Sequence, residues 1–126
     1  MINPGKDNFK FATGAVRSVT DANGNLKGRM DLLPWEAIML VSKHCQEGAL
    51  NPAYGEHNVD KGLPQHSLLD SAMRHGAKYL AGWTDEDHLV SMCWNCLFAL
   101  QQTITHPELI DVPWRDENAS IDRETT

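Results

Sequence analysis

A mainly α-helical fold, a small bundle of three to four helices with a short N-terminal β-hairpin, is predicted by three features of this sequence. Apolar residues recur at helical spacing in three separate segments. Gly48, Gly82 and Pro107 punctuate the ends of those segments. The one stretch with strand character, Arg17 to Thr20 and Asn25 to Arg29, flanks an Asn23-Gly24 turn.

The 126 residues suffice for one core and are too few for two. With 41% hydrophobic and 22% charged residues the chain has globular composition. Residues 13–114 are therefore expected to form a single domain. Residues 1–12, with Pro4 and Gly5, and the charged residues 115–126 are expected to be flexible ends. A net charge of −6 argues against a protein that grips nucleic acid, since displacing phosphate counterions needs a basic surface. No apolar run approaches the roughly 20 residues that span a bilayer, and the first residues lack the apolar core of a signal peptide. Three cysteines, Cys45, Cys93 and Cys96, make no disulfide framework and fit a reducing compartment. A cytoplasmic location with no membrane partner is expected.

The elements follow in order. Pro34 suits the first position of helix one, and Ala37, Ile38, Val41 and Cys45 then recur at helical spacing up to Gly48. Glu36, Lys43 and Glu47 lie on the opposite, solvent-facing side. Residues 51–64 are dense in turn residues and long for a connector, as functional loops often are. Ser67 and Asp70 resemble a capping box that opens helix two, which runs to about Ala81. Thr84 and Asp87 repeat that signal before helix three. There Leu89, Cys93, Cys96, Leu97, Leu100 and Ile104 form an apolar stripe. The exposed apolar remainder of so small a bundle invites self-association.

Chemistry concentrates at Asp85-Glu86-Asp87-His88. On a helix Asp87, His88, Ser91 and Asn95 share one polar face, whose oxygens suit Mg²⁺ or Mn²⁺. Acidic residues in a first turn also simply complement the helix dipole. Helix two adds Ser67, Asp70, Ser71, Arg74 and Lys78. Asp70 and Arg74 can form a surface i,i+4 pair, or Arg74 can hold a phosphate while His75 joins the acidic cluster across the groove. Arg17, Lys27 and Arg29 concentrate positive charge on the hairpin, which suits a triphosphate and equally suits a solubilising surface. Cys93-Trp94-Asn95-Cys96 is one C-x-x-C in mid-helix, too little for a zinc site, so both cysteines are expected in the core. Phosphate-binding Walker and G-x-G-x-x-G loops, the G-x-S-x-G elbow and a His-Asp dipeptide are absent.

Taken in order, several segments resemble a family of short phage proteins described as the N-terminal type of dATP/dGTP diphosphohydrolase, allied to the MazG-like all-α pyrophosphatases. They are Thr13 to Ser18, Lys27 to Pro34 with its Asp-Leu-Leu-Pro, Glu47 to Ala49, and Tyr54-Gly55. They continue through Asn58 with Lys61-Gly62, Asp70 to His75, and Asp85 to Leu89 with Trp94-Asn95. Val59 departs from the tryptophan that pattern carries, and helix one lacks the E-x-x-E of MazG proteins.

The resemblance implies metal-dependent hydrolysis of purine deoxynucleoside triphosphates to monophosphate and pyrophosphate in the cytoplasm of an infected bacterium. Glu86, Asp87, Asp70 and His75 would hold Mg²⁺ or Mn²⁺, with Glu86, Asp87, His75 and His88 serving catalysis. Arg17, Lys27, Arg29, Lys61 and Arg74 would hold phosphates, Asn58 and Trp94 the base, and Asn95 a ligand or water. A homo-oligomer is implied. The alternative is a phage protein that binds and sequesters a nucleotide without turnover.

Overall fold

The computed structural model describes residues 8–112. Of the ends expected to be flexible, residues 1–7 of the segment 1–12 and all of 115–126 lie outside the described residues. Within them the chain divides into two compact units, one up to Pro34 and one from Trp35.

In the first unit β1 (Asn8–Lys10) pairs antiparallel with β2 (Val16–Ser18), with Phe9 opposite Arg17. A two-stranded hairpin is present, but its partner strand comes from the segment expected to be flexible. The predicted turn does form: Asp21 Oδ1 accepts the Asn23 and Asn25 N–H groups, and Gly24 takes a positive φ. Beyond it the chain makes only the isolated bridge Thr20–Leu26, because Lys27 to Arg29 leave the strand at Gly28, φ 81°.

The second unit holds three helices, α1 (Trp35–Leu50), α2 (Gln65–Leu80) and α3 (His88–Thr105), with short 3-10 turns at Val59–Lys61 and Pro107–Leu109. The mainly α fold with an N-terminal hairpin is thus as predicted. The caps differ. Pro64 precedes α2 without a side-chain cap, so Ser67 and Asp70 already sit inside the helix. Asp87, not Thr84, caps α3 by accepting the Val90 N–H at 3.2 Å. No helix among the described residues is long and apolar enough to cross a membrane.

α3 packs along α2 and also touches α1. Gly76 permits the close approach of α2 to α3, since a Cβ there would lie 3.0 Å from Met92 Sδ. The buried apolar residues at this contact are few: Leu68, Ala72 and Ala99. Around them are buried Gln65, His88, Ser91, Asn95 and Gln102. The predicted core stripe of α3 is therefore corrected: Leu89, Leu97, Leu100 and Ile104 are exposed, as are Cys93 and Cys96. The buried polar side chains have partners that make the inversion tolerable. Gln102 clasps both backbone groups of Leu63, accepting its N–H at 2.8 Å and donating to its carbonyl. Gln65 donates to the Ala99 carbonyl at 3.4 Å, and Asn95 to the Ser91 carbonyl at 2.8 Å.

The loop 51–64 is tied down at its far end. Gly62, at φ 98°, sits where a Cβ would fall 2.6 Å from Leu109 Cδ1. His106 donates from Nε2 to the Asp60 carbonyl at 2.9 Å and faces Glu108 at 3.1 Å. Those two contacts, the Asp60 carbonyl first, raise the His106 pKa.

Candidate metal centre and adjoining cavity

The cap at Asp87 sets the geometry of the site. It starts α3 so that His88, in the first turn, points back at α2, where its side chain is wholly buried. His75 meets it from α2: the two Nδ1 atoms lie 2.9 Å apart. Glu86, just ahead of the cap, brings Oε1 to 3.4 Å from His75 Nδ1 and 3.7 Å from His88 Nδ1. Ser91 Oγ reaches the same oxygen at 3.5 Å.

This triangle fits a divalent ion. Ligands at about 2.1 Å stand roughly 3.0 Å apart at octahedral angles and roughly 3.4 Å apart at tetrahedral ones, and the separations here, 2.9, 3.4 and 3.7 Å, lie at or a few tenths of an ångström outside those values. His75, Glu86 and His88 are the cluster whose ligand atoms all lie within 4.8 Å of one another. The protonation pattern fits as well. Asp85 Oδ1 accepts the Nε2–H of His88 at 2.6 Å, which leaves the Nδ1 lone pair directed at the cluster. That hydrogen bond is also the main reason the Asp85 pKa is lowered. Burial, partly offset by Glu86, lowers the pKa of His75 and favours the neutral, ligating imidazole.

Next to the cluster lies a cavity of about 810 Å³. Ser71 lines it one helical turn from His75 on α2, and Asn95 lines it two turns, roughly 10 Å, from His88 on α3. Its aromatic wall is Trp94, with His44 tilted over it at 5.3 Å and Phe98 at 4.7 Å between ring centroids. Asn58 and Tyr54 close the wall from the loop. The Trp94 Nε1 is buried without a hydrogen-bond acceptor among the described residues.

The residues singled out from sequence thus divide. Glu86, His75 and His88 come together at the cluster, and Asn58, Trp94 and Asn95 at the cavity. Asp87 is the α3 cap, and Asp70 pairs with Arg74 on the exposed side of α2, where Arg74 also reaches Ser71 at 3.4 Å. Lys61 is exposed on the loop. Arg17, Lys27 and Arg29 belong to the first unit, where with Phe9 and Phe11 they border a cavity of about 980 Å³. Arg29 is held there by Asp31 at 2.6 Å. Sequence reasoning named Asp85 within the acidic run without giving it a role, and passed over His44 and Phe98. Of these only Asp85 carried a signal, three residues before His88 within one acidic run.

No curated protein and no solved structure matches the chain. A family model described as dATP/dGTP diphosphohydrolase, N-terminal, matches residues 18–112, which takes in all three helices and both the cluster and the cavity. The chain belongs to this dATP/dGTP diphosphohydrolase N-terminal family.

Proposed function

We propose that the chain hydrolyses purine deoxynucleoside triphosphates to the monophosphate and pyrophosphate, with a divalent ion on His75, Glu86 and His88 and the nucleoside in the adjoining cavity. The observation that carries this reading is the convergence of two imidazole nitrogens and one carboxylate oxygen within 3.7 Å, beside a cavity walled by aromatic rings. The family's description supplies the substrate class.

An ion bound there would neutralise phosphate charge and acidify a water molecule, and the two nitrogen ligands would favour Mn²⁺ over Mg²⁺. The rest falls to the side chains. Asp85 fixes the tautomer and ring orientation of His88. Glu86, half-exposed beside the cluster, accepts the proton as the water oxygen attacks the α-phosphorus. The bond from that phosphorus to the α,β-bridging oxygen breaks, and pyrophosphate leaves with the oxygen. Arg74, next to His75 and on the surface, exchanges Asp70 for a phosphate, a bidentate contact stronger than an exposed ion pair. Trp94, Phe98 and Tyr54 offer flat faces to the purine.

Incubation with each of the four common deoxynucleoside triphosphates, with Mn²⁺ or Mg²⁺, followed by chromatographic identification of products, tests the proposal. Purine monophosphate and pyrophosphate are expected, and His88→Ala and Glu86→Gln should abolish their formation. Release of inorganic phosphate and a diphosphate, or nucleotide binding without turnover, overturns it. The second outcome marks a sequestering protein.

A further inference from the structure

We infer that the outer face of α3 is the seam of a homodimer, in which the helix packs antiparallel on the α3 of a second copy about a two-fold axis between Cys96 and Leu97. The inference stands on packing and does not depend on the catalytic reading.

α3 is inside out. At about 100° per residue, Leu89, Cys93, Cys96, Leu97, Leu100 and Ile104 fall within an arc of roughly 100°. All six are exposed: Leu89 43%, Leu97 52%, Leu100 63% and Ile104 73%, with both cysteines exposed as well. The buried residues His88, Ser91, Asn95 and Gln102 occupy the opposite side. Among the described residues the apolar stripe is therefore left largely uncovered. Leu89, Cys93, Cys96 and Leu100 follow one another at the four-three-four spacing of a helical seam, which is buried by another helix of the same pattern.

Two observations make that other helix a second α3. First, the stripe is self-complementary on reversal. Turning the helix end for end about its midpoint exchanges Leu89 with Ile104, Cys93 with Leu100, and Cys96 with Leu97. Every member meets another member, and each small cysteine meets a leucine. A two-fold interface requires such a match, and an unrelated partner has no use for it. Second, the 18 residues of α3 carry no Asp, Glu, Lys or Arg. Two copies of a chain with net charge −6 can approach on this surface without opposing like charges across it.

The antiparallel arrangement predicts which cysteines meet. The two Cys96 residues are offset along the axis by one residue rise, about 1.5 Å, and the two Cys93 residues by seven, about 10.5 Å. Only the former pair is within disulfide reach.

The oligomer is tested by light scattering on the full chain at tens of micromolar, where twice the chain mass is expected. Leu97→Lys and Leu100→Glu should each weaken dimerisation by at least about 30-fold. Their helical circular dichroism should be retained, because both side chains are exposed in the single chain. Orientation is tested with two single-cysteine variants, Cys45→Ser/Cys93→Ser and Cys45→Ser/Cys96→Ser, treated with diamide. Two thiols then join as one disulfide, and their hydrogens reduce the diazene. The variant keeping Cys96 should crosslink and the variant keeping Cys93 should not. A monomeric wild type, a dimer that survives both charge substitutions, or equal crosslinking through Cys93 overturns the inference.

Discussion

Replacing Asp85 by Asn separates the proposed metal role of the cluster from any role in folding. The carboxylate lies 2.6 Å from His88 Nε2. The imidazole is wholly buried, and the Asp85 carboxylate that partners it is itself 61% exposed. In the wild type the carboxylate holds the proton on Nε2 and leaves the Nδ1 lone pair free to bind an ion. An amide can still accept from Nε2–H, but without charge, so the geometry survives while the electrostatic support for a cation on the ring is lost. Loss of such an orienting partner costs about 10- to 100-fold in metal affinity or activity. Asp85→Asn belongs near ~10-fold and Asp85→Ala, which leaves the buried N–H unpaired, near ~100-fold. Thermal stability should change little for Asn, since its amide oxygen still accepts from the Nε2–H of His88 and no buried donor is left unpaired. Mn²⁺ binding followed by electron paramagnetic resonance of the free ion, alongside pyrophosphate release against Mn²⁺ concentration, measures both quantities. Activity of Asp85→Asn should recover at high Mn²⁺. Wild-type Mn²⁺ affinity in both variants would refute the assignment of His88 Nδ1 as a ligand.

Gln102→Leu keeps the size of a buried side chain but strands the Leu63 N–H and carbonyl. At about 1–3 kcal/mol for each polar group left unpaired, discounted because Leu63 is only half-buried, the loss should be about 2–4 kcal/mol in urea unfolding. His106→Gln tests the anchor of the cavity loop through pH. A raised histidine pKa gives stability that is fully present below its ordinary value near 6.5 and is lost as pH rises through the folded-state value. The gap in melting temperature between wild type and His106→Gln should therefore be widest near pH 5.5 and shrink towards pH 9. A gap independent of pH would remove the charged form of His106 from the account.

Helix positions were legible because their signals are local. Pro34 precedes α1, Asp87 stands at the start of α3, and Pro107 follows its end. The strand Asn8–Lys10 was not legible, since a polar three-residue segment acquires strand character only from the partner it finds at Val16–Ser18. The site was partly legible. His75 was expected to meet the acidic start of α3 across the groove, and it does so through Glu86 and His88. Asp85, Glu86 and Asp87, three adjacent acids, look alike in sequence. The cap separates them: it commits Asp87 to Val90 and leaves Asp85 and Glu86 on the two sides of the His88 ring.

Periodicity says that α3 has two faces and not which of them lies inside. Turned by half a revolution, the helix would bury its leucines on α2, as hydrophobic burial alone favours. Against that rotation stand contacts that only the present face can make: Gln102 with both backbone groups of Leu63, His88 with His75 and Asp85, and the Ala99 carbonyl with Gln65. Rotated, α3 would leave the Leu63 backbone and the Gln65 amide without these partners, a cost incurred group by group in a low-dielectric contact. The buried polar residues therefore choose the rotation of α3 more than they add to its attraction for α2. Because a single helix carries both faces, the rotation that assembles the imidazole cluster also turns the leucine stripe outward. Packing a second helix on that stripe supplies the apolar burial that the contact with α2 gives up.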